Sequence, residues 1–138
     1  MRILILLPLL LAGPAAGQTL FDDAPGQYGS ATDSANSCAT NPHDLSFMAS
    51  PPHVILTWSQ PKDDGTGKPR TLERYDIEDY DATTLTLREE GDFRPDRDGG
   101  RIWVMQMTQN PAGYCWRRPD WPQARCQDQQ VLCEKPIS

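Results

Sequence analysis

The sequence predicts an all-β fold, a small antiparallel barrel or a compact sandwich, on three observations. Short runs rich in β-branched and aromatic residues alternate apolar and polar side chains with a period of two. Clusters of Gly, Pro and Asp separate these runs at short intervals, and no stretch holds the apolar period of a long helix. Of 138 residues the first 17 read as a leader, and the 121 that follow suffice for one core but not for two.

The leader is legible from its three parts. Met1-Arg2 supplies a cation, Ile3 to Leu11 an apolar run broken at Pro8, and Ala12 to Gly17 a small-residue exit. The run is about half the length that spans a bilayer core, and no comparable run follows, so the expectation is export without stable membrane insertion. Cleavage after Gly17 removes Arg2 and leaves 12 basic against 19 acidic residues, a net charge of −7. That charge disfavours nucleic acid and anionic lipid, and favours a basic partner where the partner is charged at all.

Residues 18–37 contain Asp22-Asp23, Pro25-Gly26 and Gly29-Ser30 with little apolar content, and read as a flexible arm. Residues 38–138 read as a single disulfide-bonded β domain. Leu45 to Met48 is a short strand or a turn. His53 to Ser59 is the clearest early strand, with Val54, Leu56 and Trp58 on one face and Ile55 and Thr57 on the other. Pro61 to Pro69 is a turn cluster. Arg70 to Tyr80 is ambiguous in period, with a strand favoured near Arg74 to Glu78.

Thr83 to Phe93 restores alternation, placing Leu85 and Leu87 opposite Thr84, Thr86 and Arg88, with Gly91 as a bulge or turn. Pro95 to Gly100 is a second turn cluster. In the next strand, Arg101 to Thr108, Ile102 and Val104 oppose Trp103, Met105 and Met107, so both faces carry apolar groups. Asn110 to Gly113 then separates it from Tyr114 to Arg118, and a last short strand runs from Gln130 to Cys133. The total is five to seven strands.

Four cysteines in an exported chain read first as two disulfides. The favoured pairing joins Cys38 to Cys133 across the domain and Cys115 to Cys126 around a local loop. The rival, Cys38–Cys115 with Cys126–Cys133, fits the spacing nearly as well. A structural zinc site is the other reading, but the chain lacks a Cys-x-x-Cys pair.

Tyr114-Cys115-Trp116-Arg117-Arg118-Pro119-Asp120-Trp121-Pro122 concentrates aromatic and guanidinium groups between conformational restraints. If exposed, Trp116, Arg117, Arg118 and Trp121 form a recognition face for a protein or a glycan, with Asp79 and Asp81 as acidic support. The plainer reading turns Tyr114 and Trp116 into the core, plugs a barrel end with Trp121, and pairs the arginines with nearby acids. Asp96-x-Asp98-Gly99 is a fragment of a calcium loop without its distal Glu, and reads as a solvated turn. His43-Asp44 and His53 invite a hydrolase reading. Yet there is no Gly-x-Ser-x-Gly, His-Glu-x-x-His or phosphate loop, and no cofactor is implied.

In outline, with a leader, about 120 strand-rich residues and a cysteine near each end (Cys38 and Cys133), the chain resembles small periplasmic β-barrel inhibitors of lysozyme. The resemblance covers residues 38–133 and implies a binding protein whose polar loop fills the cleft of a cationic muramidase. No inhibitory motif aligns, so no site residue is carried over. The leading expectation is a periplasmic or secreted binding protein, an inhibitor of a cationic envelope enzyme such as a lysozyme. The alternatives are a lipocalin-like carrier that holds a small hydrophobic ligand against Trp103, Met105 and Met107, and a small hydrolase. An open cavity favours the carrier; a filled core with exposed aromatics favours the recognition face.

Overall fold

Alternation decides the architecture. In the strand Pro52–Lys62, Val54, Leu56 and Trp58 are buried while Thr57 and Ser59 are exposed, so one face must meet a core. The computed structural model, which describes residues 16–63, 67–90 and 102–134, shows how that face is covered. Eight antiparallel strands close on themselves in plain up-and-down order. They are β1 (Gly26–Ser30), β2 (His43–Ala49), β3 (Pro52–Lys62), β4 (Arg70–Tyr80), β5 (Thr84–Glu89), β6 (Ile102–Thr108), β7 (Gly113–Arg117) and β8 (Gln127–Leu132). Pairing of β1 with β8 completes the ring through Tyr28↔Leu132, Gly29↔Val131 and Ser30↔Gln130. Closure leaves the ring without a free edge.

The register sets matching inward residues opposite one another around the ring, with shifts in the β3–β4, β4–β5 and β7–β8 pairs. Tyr28 faces His43, His43 faces Trp58, Val54 faces Tyr75, Leu85 faces Met105 and Met107 faces Tyr114. All of these lie inside. The expected inward set of Val54, Leu56 and Trp58, and that of Leu85 and Leu87, are both found there.

Strand direction gives the barrel two different ends. The β1–β2, β3–β4 and β7–β8 connections leave at one end, the open end. The other end is stoppered by a short helix, α1 (Ala16–Asp23). Leu20 is buried in the core, and the Phe21 ring meets Phe47 at 5.1 Å and Tyr80 at 5.0 Å, both edge to face. The Tyr28 hydroxyl donates to the Ala24 carbonyl at 2.6 Å and fastens the helix exit to β1. Burial of Leu20 alone is worth about 1.5–3 kcal/mol. These contacts begin after Gly17, so removal of the leader would leave them in place.

Several expectations need correction. Residues 18–37, expected as a flexible arm, supply most of α1, all of β1 and a 3-10 turn at Ser34–Asn36. β1 contributes Tyr28 to the core through only five residues, too short a run for alternation to show against its glycines. β2 is a full strand of seven residues, β3 continues through Pro61 to Lys62, and β4 spans all of Arg70–Tyr80. A register shift between Ile77 and Asp79 breaks the parity of β4, which is why its period was ambiguous. β8 starts at Gln127, earlier than expected. The proposed bulge at Gly91, the turn at Pro95–Gly100 and the Asp96/Asp98 fragment lie outside the described residues.

Both disulfides join the favoured partners, Cys38 with Cys133 and Cys115 with Cys126. Each ties a connection at the open end back onto the outer wall. Cys38 carries the β1–β2 connection over Gly29 to the end of β8, and Cys126 carries the β7–β8 connection to Cys115 on β7. Two glycines make such approaches feasible. A Cβ on Gly29 would lie 2.1 Å from the Cys38 amide nitrogen, and one on Gly113 would lie 1.9 Å from the Gln130 carbonyl oxygen. Because both obstacles are backbone, Gly113→Ala is expected to destabilise by about 1–3 kcal/mol or to prevent folding. A urea midpoint unchanged from the parent would contradict the close β7–β8 approach.

Candidate ligand-binding cavity

The buried core extends from Leu20 of α1 up to Tyr114 and stops there. Beyond it, towards the open end, lies a hollow of about 290 Å³. Its walls follow from strand parity: Trp58 of β3, Glu73 and Tyr75 of β4, Trp103 of β6, Trp116 of β7 and Gln130 of β8 all point inward. Ser30 reaches it from the end of β1, Asp33 and Asn36 from the β1–β2 connection, and Lys62 from the end of β3.

The rings form a connected wall. Tyr75 and Trp116 are 5.4 Å apart at 41°, and Trp116 meets Tyr114 at 5.8 Å and Trp103 at 6.3 Å, both edge to face. On the far side Trp58 packs at 4.3 Å against His43. Beneath this wall His43 Nε2 and the Tyr114 hydroxyl share a hydrogen bond of 2.5 Å. Burial, with a smaller contribution from the Lys62 charge, lowers the His43 imidazole to about 4 and keeps it neutral. Burial likewise raises both tyrosine hydroxyls, Tyr114 and Tyr75, with nearby Glu73 adding to the rise.

Glu73 is the chemically unusual member. Its carboxylate accepts from the Tyr75 hydroxyl at 3.0 Å and has no ion pair among the described residues. Asp33 is held below the ordinary carboxylate range, chiefly by the Asn36 amide and then by the Ala35 N–H. Two buried polar atoms on wall residues, the Trp58 indole N–H and the Gln130 amide oxygen, have no protein partner among the described residues. Buried groups of this kind are ordinarily satisfied by water or by a ligand.

Of the residues proposed for a recognition face, Trp116, Arg118 and Trp121 meet around the Trp103 ring, whereas Arg117, Asp79 and Asp81 lie apart from them. Trp116 is turned into the hollow. The Arg117 guanidinium Nε donates to Gln106 Oε1 at 3.0 Å on the outer wall. Arg118 stacks at 3.5 Å on the Trp103 ring and donates to the Ile102 carbonyl at 3.1 Å. Trp121 stands edge to face with Trp103 at 6.4 Å, with Arg125 over its own ring at 4.0 Å. The plainer sequence reading is closer for the aromatics, and the stacking, amide and carbonyl contacts just given hold Arg117 and Arg118 against the wall. Asp79 and Asp81 lie at the opposite, helix-stoppered end. Asp81 accepts from the Thr83 and Thr84 N–H groups at 2.9 Å each, which lowers its acidity range and closes the β4–β5 turn.

Of the trio expected to line a carrier cavity, Trp103 does so. Met105 is fully buried in the core, and Met107 borders a second hollow of about 190 Å³ beside α1. His43 and Asp44 face opposite sides of the wall, so the imagined His-Asp pair does not form. No group of His, Cys, Asp or Glu that could hold a metal occurs among the described residues. Sequence reasoning missed Trp58, Glu73 and Tyr75 as a group. The available signal was Glu73 sharing the parity of Tyr75 and Ile77, an acid on an otherwise inward face. No protein-family model, curated protein or solved structure matches this chain.

Proposed function

We propose that the chain is an exported binding protein whose barrel holds a small organic ligand in the hollow at its open end. The observation that carries this reading is the half-filled interior: one end packed and stoppered, the other lined with aromatic faces around about 290 Å³. Concave, largely aromatic space with a few polar groups is the usual form of a ligand site, and this volume sits at the lower end of the range. Export draws support from the leader at residues 1–17 and from two disulfides that leave no free cysteine, a state kept in oxidising compartments such as the periplasm. A recognition face for a basic envelope enzyme has less support, because Trp116 is turned inward and the acidic pair sits at the other end.

A fragment screen read by the tryptophan indole N–H resonances tests the proposal. Ligands are expected to shift Trp58, Trp103 and Trp116, which line the hollow, and to leave Trp121 nearly unmoved. Leu56→Phe puts a larger side chain into the same space and is expected to weaken those ligands about tenfold or more while the barrel still folds. Fragments that bind equally well after that substitution would sink the cavity reading, as would a parent chain that binds none.

A further inference from the structure

We propose, resting on the cavity reading above, that the ligand is a small organic cation: an amine or quaternary ammonium group held between the Glu73 carboxylate and the faces of Tyr75 and Trp116. An ionised carboxylate offers about four acceptor positions, and the Tyr75 hydroxyl occupies one of those on Glu73. The acid is carried on the inner wall, opposite Leu56 across the β3–β4 pair, and no lysine, arginine or histidine neutralises it among the described residues. Glu73 is half-buried, so a ligand that fills the hollow takes the carboxylate out of water, and a ligand of opposite charge compensates that loss.

The walls point to the same chemistry. Aromatic faces carry negative potential and attract cations within about 6 Å of the ring centroid. The protein uses this itself at the rim of the hollow. The Lys62 ammonium rests 4.5 Å from the Trp58 ring, and the Arg118 guanidinium 3.5 Å from that of Trp103. Tyr75 and Trp116, the two rings nearest each other beside Glu73, carry no such cation among the described residues. Among the described residues of the lining, Asp33 and Asp128 add negative charge against Lys62 alone. An anion would meet three carboxylates there, and a neutral apolar ligand would bury Glu73 without compensation.

Three soluble probes of one shape separate the possibilities: choline, its neutral isostere 3,3-dimethyl-1-butanol, and the anion 3,3-dimethylbutanoate. Each is titrated by calorimetry into the oxidised chain at neutral pH. Choline is expected to bind about tenfold or more tighter than the alcohol, with the anion weakest. Glu73→Gln is expected to remove most of that preference. Asp44→Asn, the same charge change on the outer wall, is expected to leave it intact. Equal or tighter binding of the alcohol or the anion overturns the cation assignment while the cavity reading stands. Binding of none of the three overturns the assignment as well, and the cavity reading is then decided by the fragment screen and Leu56→Phe. Should Glu73→Gln fail to fold, the ranking of the three probes on the parent chain decides alone.

Discussion

Replacing Cys38 and Cys133 together by serine is expected to lower the free energy of unfolding by about 4–5 kcal/mol. Their bond spans 95 residues, so breaking it returns to the unfolded chain the freedom that a very long loop had lost. Replacing Cys115 and Cys126, which are 11 residues apart, is expected to cost only about 3 kcal/mol on the same argument. Since domains of this size are stable by roughly 5–15 kcal/mol, the first substitution removes a large part of the total. Guanidinium unfolding of the two double variants and the parent gives the comparison. Equal losses would show that loop length does not govern the effect, and that contacts on the outer wall do.

Acid is expected to weaken the fold in a window set by His43. The imidazole is neutral in the folded barrel, with its range lowered to about 4 by burial among Tyr28, Trp58 and Tyr114, against an ordinary 6.5 in the unfolded chain. Below pH 6.5 the unfolded state therefore takes up a proton that the folded state refuses, and stability falls with pH until the folded imidazole also titrates near 4. The loss across that window is on the order of 3 kcal/mol, and above pH 6.5 the group contributes no slope. Asp33 and Asp81, whose carboxyls are lowered in the fold, contribute stability that is lost further down, below the ordinary carboxylate range of about 4. Urea unfolding of the parent and of His43→Gln between pH 7 and 4 separates the terms. A slope equally steep in the variant would assign the acid sensitivity to the carboxylates instead.

Much of the fold was legible because alternation is a local signal. Val54, Leu56 and Trp58, or Leu85 and Leu87, declare a buried face from a handful of neighbouring residues. β1 was not legible, because Gly26 and Gly29 leave only Tyr28 to declare an inward face; its role depends on β2 and β8, which are remote in sequence. The cavity was readable only in pieces. The apolar second face of Arg101 to Thr108 points to Trp103 as a cavity residue, and alternation from Tyr114 turns Trp116 inward, where both line the hollow. Nothing in one sequence, however, says that β3, β4 and β7 bring Trp58, Glu73 and Trp116 around one space. The register of three strand pairs decides that, together with the point at which core packing stops.

Placing the first strand beside the last has a consequence for how the molecule is made. A polypeptide delivered N-terminus first can pair β1 with β2 at once, but the other side of β1 finds its partner only when β8 arrives about a hundred residues later. Until then the growing sheet has bare strands at both margins, ready to add a stranger's strand instead of its own. The Cys38–Cys133 bond bridges the same gap, so once formed it holds the two ends of the ring together and keeps a stranger's strand from either margin.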